Sequence, residues 1–242
     1  MSNYQHLKWD SDFFGFKVAA VYANEINNNE IDSILKKLHN YNYKLIYVIS
    51  ESELVFPNIK CLYNINFVDI KLTFKAFVNT IIEQNKDEDL INILKYSQKP
   101  INENLEELAY QSGNYSRFKL DKNFEPYHFF SLYKIWLQKS LSKEIADEVF
   151  VYTENDNILG FVTVSLNENN FGKIGLIAVE QNTRGKGIGR KLIKAVANYL
   201  LDYQINKLFV STQHANKNAC NFYQKLGFIL DKKEYYYHLW IV

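Results

Sequence analysis

The chain has 242 residues, of which 47% are hydrophobic and 16% aromatic, so it can bury the core of one large or two small domains. Its 28 basic and 27 acidic residues leave a net charge of +1, which excludes a broad electrostatic attraction to nucleic acid or to a membrane surface. Cys61 and Cys220 are isolated and the five histidines lack ligand spacing, so we expect reduced cysteines and no metal site.

The amino-terminal residues indicate where the protein works. The first 14 residues lack the basic and then apolar order of a secretory signal. No run in the sequence approaches the roughly 18 apolar residues of a membrane-spanning helix. We therefore expect a cytoplasmic protein.

The first third of the chain has the periodicities of a small α/β domain. β-prone residues run from Lys17 to Tyr22 and from Leu45 to Ile49, with apolar residues at helical spacing between them. Phe67 to Phe77 alternates apolar and polar residues, which is typical of a long, half-exposed antiparallel strand. The charged stretch Gln84 to Asp89 is predicted to be a linker, which ends an amino-terminal α/β domain at residue 85.

Residues 86–242 are predicted to form a larger α/β domain in the order β-α-α-β-β-β-α-β-α-β. Its first helix follows Pro100 and ends at Gly113, an irregular loop covers Ser112 to Asp121, and Asn155 to Asn157 forms a hairpin turn. Apolar spacing assigns the ten elements to residues 90–96, 105–109, 129–137, 149–154, 159–166, 174–179, 192–200, 207–213, 216–227 and 234–242.

A glycine-rich turn joins the strand that ends at Val179 to the next helix. Glycines allow positive φ and let a ligand approach the backbone, and the unpaired N–H groups of a helix's first turn attract phosphate. Arg184, Lys186 and Arg190 add positive charge. The dinucleotide loop needs G-x-G-x-x-G and the Walker loop needs lysine after its last glycine, and neither pattern is present.

Read as R-x-x-G-x-G from Arg184 to Gly189, this turn resembles the acetyl-CoA diphosphate loop of the GNAT acetyltransferases. The segment Asn216 to Phe228 resembles the same family's N-x-x-A-x-x-F-Y-x-K-x-G-F motif. The resemblance implies an α/β GNAT fold with a mixed sheet, behind a smaller amino-terminal domain that shapes the acceptor site and is a candidate degenerate half-copy. It also implies acetyl-CoA as co-substrate, without a metal, bound by Ile177, Ala178, Val179, Arg184, Gly185, Lys186, Gly187, Ile188, Gly189, Arg190, Asn216 and Ala219.

Acetyl transfer from a thioester to an amine requires a polarised carbonyl and a proton for the departing thiolate. The resemblance assigns the first task to a backbone N–H within residues 177–179, at a bulge in the strand, and the second to Tyr223. Tyr223 can also be read as a core aromatic residue, and Asn216 as a helix N-cap. Glu180 is better explained as a solvated loop carboxylate than as the general base, so the base is left open.

The chain further resembles the dTDP-fucosamine N-acetyltransferase family, in Trp9-x-x-x-Phe13-Phe14-Gly15 and in Ser116-Arg117-Phe118. That family acetylates dTDP-4-amino-4,6-dideoxygalactose, so the resemblance implies a nucleotide-linked amino sugar as acceptor. Thymine, diphosphate and hydroxyl groups would need aromatic and polar partners, for which the candidates are Ser116, Arg117, Tyr127, Tyr133 and Trp136. A core position explains Tyr133 and Trp136 equally well.

Two other functions fit the same motifs. A peptide or protein N-terminal acetyltransferase would keep the same CoA motifs. A non-catalytic acyl-CoA-binding module would bind CoA without turnover, and the presence of Tyr223 speaks against it. The sequence also leaves open the hexose, the C3 or C4 position of the amine, an acyl group larger than acetyl, and whether the protein is a monomer or a homodimer.

Overall fold

A computed structural model of the chain describes residues 4–24, 26–56, 58–97 and 101–242. The chain divides into two compact units. The amino-terminal unit comprises residues 1–72, 213–215 and 232–242, and the glycine-loop unit comprises residues 73–212 and 216–231. Strands and helices occur in both units, which confirms the predicted α/β class. None of the helices in the described ranges has the length and apolar character that crossing a membrane would require.

The amino-terminal unit contains the predicted β-α-β arrangement. Its strand β1 pairs antiparallel with β2, β2 pairs parallel with β3, and β3 pairs antiparallel with the last strand of the chain, β10. Asn27 caps helix α2, since its side chain accepts a hydrogen bond from the Glu30 amide, and the helix buries Leu35 and Leu38 in the core of the unit. The elements are β1 Tyr4–His6, α1 Lys8–Phe14, β2 Val18–Tyr22, α2 Asn28–Asn40, β3 Leu45–Ser50, and parts of β4 Tyr63–Phe77 and β10 Ile229–Ile241.

The glycine-loop unit is built on a sheet in the order β4-β9-β8-β7-β6-β5. Strands β5 to β8 are antiparallel neighbours, whereas β8 and β9 are parallel. The predicted hairpin turn is confirmed by positive φ at Asn155 (48°) and Asp156 (62°). The remaining elements are α3 Val78–Gln84, β5 Ile93–Lys95, α4 Glu103–Ser112, α5 Arg117–Leu120, α6 Pro126–Leu141, β6 Glu148–Glu154, β7 Asn157–Asn167, β8 Phe171–Val179, α7 Ile188–Asp202, β9 Lys207–Gln213 and α8 Lys217–Lys225.

The loop predicted between residues 112 and 121 contains a short helix, α5, so the expected order gains one helix. The Ser116 hydroxyl accepts a hydrogen bond from the Phe118 amide at 3.2 Å, and the Phe118 ring is buried. A polar cap and one anchored ring are enough to fix a single turn. Pro100, expected before the preceding helix, lies outside the described residues, and α4 begins after Asn102, whose side chain caps it.

The segment predicted to be a linker, residues 84–89, is part of the glycine-loop unit and is bonded to helix α7. Lys191 of α7 pairs with Asp89 at 2.9 Å, and the Lys194 ammonium donates to the Glu88 carbonyl at 2.6 Å. The compact units also separate at residue 72 and not at residue 85. The division of roles at residue 85 therefore stays a prediction.

Candidate active site

A cavity of about 710 Å³ lies in the glycine-loop unit, beside the end of β8 and the first turns of α7 and α8. The structure brings Tyr223 and all twelve predicted cofactor-binding residues to its wall. These are Ile177, Ala178, Val179, Arg184, Gly185, Lys186, Gly187, Ile188, Gly189, Arg190, Asn216, Ala219 and Tyr223. Within the described ranges, no three His, Cys, Asp or Glu side chains form a group that could hold a metal ion.

The end of β8 presents backbone hydrogen-bonding groups to the side opposite β7. The Glu180 amide donates to the Leu159 carbonyl at 2.8 Å, and Ala178 lies opposite Phe161. Because bonded and non-bonded pairs alternate in an antiparallel ladder, the N–H and C=O of Val179 point away from β7. The Val179 carbonyl indeed accepts a hydrogen bond from Arg184 Nε at 2.9 Å.

Strand β8 separates from β9 before it reaches the loop. Parallel pairing ends at Ile174, which lies opposite Val210. The ladder with β7 is irregular at Thr163, whose hydroxyl accepts the Leu176 amide hydrogen at 2.8 Å. We expected the bulge at residues 177–179, but it lies just before them, between Ile174 and Ile177. Among the described residues, the end of β8 beyond Ile174 pairs with β7 and not with β9.

The glycine loop leaves the first turn of α7 open. Gly185 and Gly187 have φ of 84° and 85°, in the left-handed region that side chains avoid. Gly187 is the N-cap of α7, and no side chain caps that helix. The first intrahelical bonds are donated by the amides of Arg190 and Lys191 to the Gly187 carbonyl. The preceding amides, with the helix dipole, form a site suited to a diphosphate.

Close packing of α7 against α8 places Tyr223 at the same cavity. A Cβ on Gly189 would lie 3.0 Å from Phe222 Cζ, so glycine allows this approach. Tyr223 is 3% exposed, and its ring lies 6.0 Å from that of Phe74 and 5.6 Å from that of Phe228. Burial, with a smaller contribution from the Cys220 thiol, raises the pKa of Tyr223, so the hydroxyl keeps its proton in the neutral pH range.

Asn216 and Glu180 have structural roles at the edges of the site. The Asn216 side chain accepts a hydrogen bond from the Ala219 amide at 3.2 Å, so it caps α8 while it lines the cavity. The Glu180 carboxylate accepts a hydrogen bond from the Asn182 amide at 2.8 Å and is absent from the cavity wall. These two observations favour the interpretation of Glu180 as a structural carboxylate of the loop over its interpretation as the general base. Glu88 is the acidic side chain that does line the cavity within the described residues.

The five residues predicted to bind the acceptor are not on the wall of this cavity. Tyr133 is buried, and Trp136 packs against the same core cluster. Burial raises the pKa of the Tyr133 phenol, and the neighbouring Ser116 hydroxyl and Arg117 charge oppose this shift. Tyr127 is 61% exposed. The acceptor role of these five residues therefore stays a prediction, and their visible contacts are those of a packed helix pair.

The cavity wall also includes a segment that was not among the predicted site residues. It consists of Gln111, Ser112, Asn114 and Tyr115, at the end of α4. A Cβ on Gly113 would collide with the Tyr133 ring, so Tyr133, which was predicted to bind the acceptor, instead packs directly against the backbone of this segment. The available signal was three polar side chains and a tyrosine around Gly113, but the sequence prediction chose the neighbouring Ser116 and Arg117 instead.

Residues 112–228 match the model of the family described as the Acetyltransferase (GNAT) family. The match covers just under half of the chain. It includes the glycine loop, the end of β8 and Tyr223, which are the parts of the cavity described above.

Three curated relatives align with parts of the chain. N-alpha-acetyltransferase 30 of Xenopus laevis is 34% identical over 28% of this chain. Streptothricin acetyltransferase A of Bacillus subtilis (strain 168) is 31% identical over 38%, and the spore coat polysaccharide biosynthesis protein SpsD of the same organism is 25% identical over 55%. The alignments span 25%, 53% and 46% of these proteins' own lengths, so the chain matches only part of each.

A solved structure, the GCN5-related N-acetyltransferase from Sphaerobacter thermophilus, matches 98% of this chain and 76% of that one. The TM-score is 0.55 at 14% sequence identity. At this identity the likeness concerns the fold alone. Together with the family match, it confirms the predicted GNAT fold.

Proposed function

We propose that the chain is an acetyl-CoA-dependent N-acetyltransferase. One observation supports this most strongly: uncapped loop amides, the open edge of β8 and a buried tyrosine line a single cavity. These are groups for a diphosphate, a thioester carbonyl and a departing thiolate, respectively. Acetyl-CoA would supply the activated acetyl group.

In this proposal, the amides that start α7 bind the diphosphate, assisted by the exposed cations Lys186 and Arg190. The Val179 N–H, directed away from β7, donates a hydrogen bond to the carbonyl oxygen as negative charge develops there. The acceptor nitrogen forms the new bond to the acyl carbon while the carbon–sulfur bond breaks. Tyr223 gives its phenolic proton to the sulfur, and the proton lost by the amine leaves through a base that we do not assign.

We propose a small amine as acceptor, with a nucleotide-linked amino sugar as the leading candidate. The Trp9 to Gly15 motif and the partial similarity to a polysaccharide biosynthesis protein favour this choice. In the cavity, Asn114 and Tyr115 are better placed than Arg117 for such an acceptor. A hydroxyl-rich sugar suits this wall because amide and phenol groups can bond to it without an opposite charge.

A second candidate is N-terminal acetylation of a peptide. The similarity to N-alpha-acetyltransferase 30 is the observation in its favour. Both candidates use the same thioester chemistry, so only the acceptor distinguishes them.

The experiment is acceptor profiling by release of free CoA thiol. The panel contains dTDP-amino sugars with the amine at C3 or at C4, and peptides with free amino termini, measured against hydrolysis without acceptor. We expect turnover with one of the amino sugars. Turnover with peptides and with none of the amino sugars would show that the acceptor is a peptide amino terminus and not a sugar. CoA binding without thiol release from any acceptor would favour the non-catalytic module, and absence of CoA binding would refute the proposal.

A further inference from the structure

The Arg184 side chain joins two walls of the cavity. Its Nε donates to the Val179 carbonyl at 2.9 Å, at the end of β8. Its Nη2 donates to Gln111 Oε1 at 3.2 Å, at the end of α4. A guanidinium group has a rigid fork of donors, so two bonds to different elements fix its plane and direction.

We propose that Arg184 is a positioning residue, which ties the glycine loop to β8 and to α4, and that it is not a ligand of the diphosphate. The inference rests on the proposed function, since it assumes that the loop binds CoA. All three cations of the loop are exposed, but only Arg184 makes side-chain hydrogen bonds, whereas neither Lys186 nor Arg190 makes an ion pair or a side-chain hydrogen bond to any described residue. They remain available to bind phosphate.

The two bonds of Arg184 have a direct consequence for the site. The Val179 carbonyl follows the Val179 N–H that faces away from β7, so a partner on the carbonyl limits rotation of this last strand residue. Gln111 begins the wall that continues through Ser112 and Asn114. The Arg184 guanidinium therefore links the glycine loop to the part of the cavity wall at the end of α4. The effects of replacing Arg184 and Gln111 on CoA binding should accordingly be coupled.

The test compares Arg184→Gln, Gln111→Leu and the double variant with Arg190→Gln as a matched loss of charge. The dissociation constant for CoA is measured by calorimetry at low and at high ionic strength. We expect Arg184→Gln to weaken CoA binding by about 2- to 10-fold, as for the loss of an ordinary hydrogen bond. Gln111→Leu should reproduce part of this loss, and the double variant should bind within about twofold of Arg184→Gln, because coupled residues are not additive.

The ionic strength separates positioning from phosphate binding. The effect of Arg190→Gln should shrink at high salt, whereas that of Arg184→Gln should persist. Arg184→Lys provides a second check, since it keeps the charge but loses the fork, and it should bind as weakly as Arg184→Gln.

The inference is overturned if Arg184→Lys binds like the parent, if Gln111→Leu has no effect, or if the loss in Arg184→Gln disappears with salt. Failure of the parent protein to bind CoA would instead refute the proposed function. If Arg184→Gln does not fold, CoA binding by Arg184→Lys and by Gln111→Leu still tests the inference. The first variant removes the guanidinium fork, and the second removes the acceptor of its bond to α4.

Discussion

Replacing Tyr223 by Phe removes one oxygen and leaves the packing of the ring in place. The side chain is 3% exposed, and its ring packs with its centroid 6.0 Å from that of Phe74 and 5.6 Å from that of Phe228, contacts that a phenylalanine ring would keep. We therefore expect little change in the thermal unfolding midpoint or in the dissociation constant for acetyl-CoA. Any fall in the turnover rate of Tyr223→Phe would then report the loss of the proton donor that the proposed mechanism assigns to Tyr223.

A positioned general acid contributes about 10²- to 10⁴-fold to a rate. At about 1.36 kcal/mol for each factor of ten, the loss corresponds to about 3 to 5 kcal/mol of transition-state stabilisation. The upper part of this range is expected, since few water molecules can replace the proton donor at a buried phenol. Because burial raises the pKa of Tyr223, its ionisation should not limit the rate at neutral pH.

The assay is free-thiol release with the best acceptor from the panel, at saturating acetyl-CoA. Tyr199→Phe is the control, since Tyr199 is also buried and lies on α7 outside the cavity wall. A Tyr223→Phe variant that turns over as fast as the parent, or a Tyr199→Phe variant that is equally slow, would refute the catalytic role of Tyr223.

Four further predictions follow from the loop, its neighbours and the elements that support them. Gly187→Ala should lower the free energy of unfolding by about 1–2 kcal/mol, the cost of a side chain in the left-handed region, since its Cβ would lie 3.6 Å from Glu88 and meet no clash; an unchanged denaturation curve would contradict this. Glu88→Gln should strengthen CoA binding at low salt by about 2- to 5-fold, as expected for the loss of a part-exposed like charge beside the diphosphate site; Asp89→Asn is the control, and weaker binding would oppose the prediction. A chain of residues 86–242 should lack a cooperative thermal transition, because it loses α3 and the second part of β4, which bury several apolar side chains of the glycine-loop unit; a sharp melt would show that these elements are dispensable. Burial lowers the pKa of His128 below 6.5, although Glu125 opposes this, so the contribution of the neutral ring to stability is complete above pH 6.5 and is lost as the pH falls through the folded-state pKa. Urea denaturation of His128→Gln should accordingly depend less on pH below 6.5, and a slope equal to that of the parent would contradict the assignment.

The sequence alone predicted the features that depend on neighbours along the chain. The glycine loop and the helix that carries Tyr223 are local patterns, since positive φ, helical spacing and an N-cap need only a few residues. For the same reason, the hairpin turn at Asn155 and the β-α-β order of the first third were predicted correctly. The α5 helix was missed because its single turn is stabilised by Ser116 and Phe118 and not by a repeated pattern.

Other features depend on contacts between residues far apart in sequence. Gln111 contacts Arg184 across 73 positions in the sequence, and Glu88 contacts Lys194 across 106, so no local pattern could place Gln111 and Glu88 at the cavity. The aromatic residues predicted to bind an acceptor also could not be distinguished from core residues, because burial and ligand contact favour the same side chains.

The sequence therefore determined where a glycine-rich turn opens α7 and which helix carries Tyr223, because backbone conformation and helix periodicity are encoded locally. Only the tertiary structure decided what surrounds them: the open edge of β8, the wall at Asn114, the carboxylate of Glu88 and the bonds of Arg184. The physical reason is that hydrogen bonds act over about 3 Å and charges over about 10 Å at ordinary ionic strength, and folding alone sets which distant residues come that close.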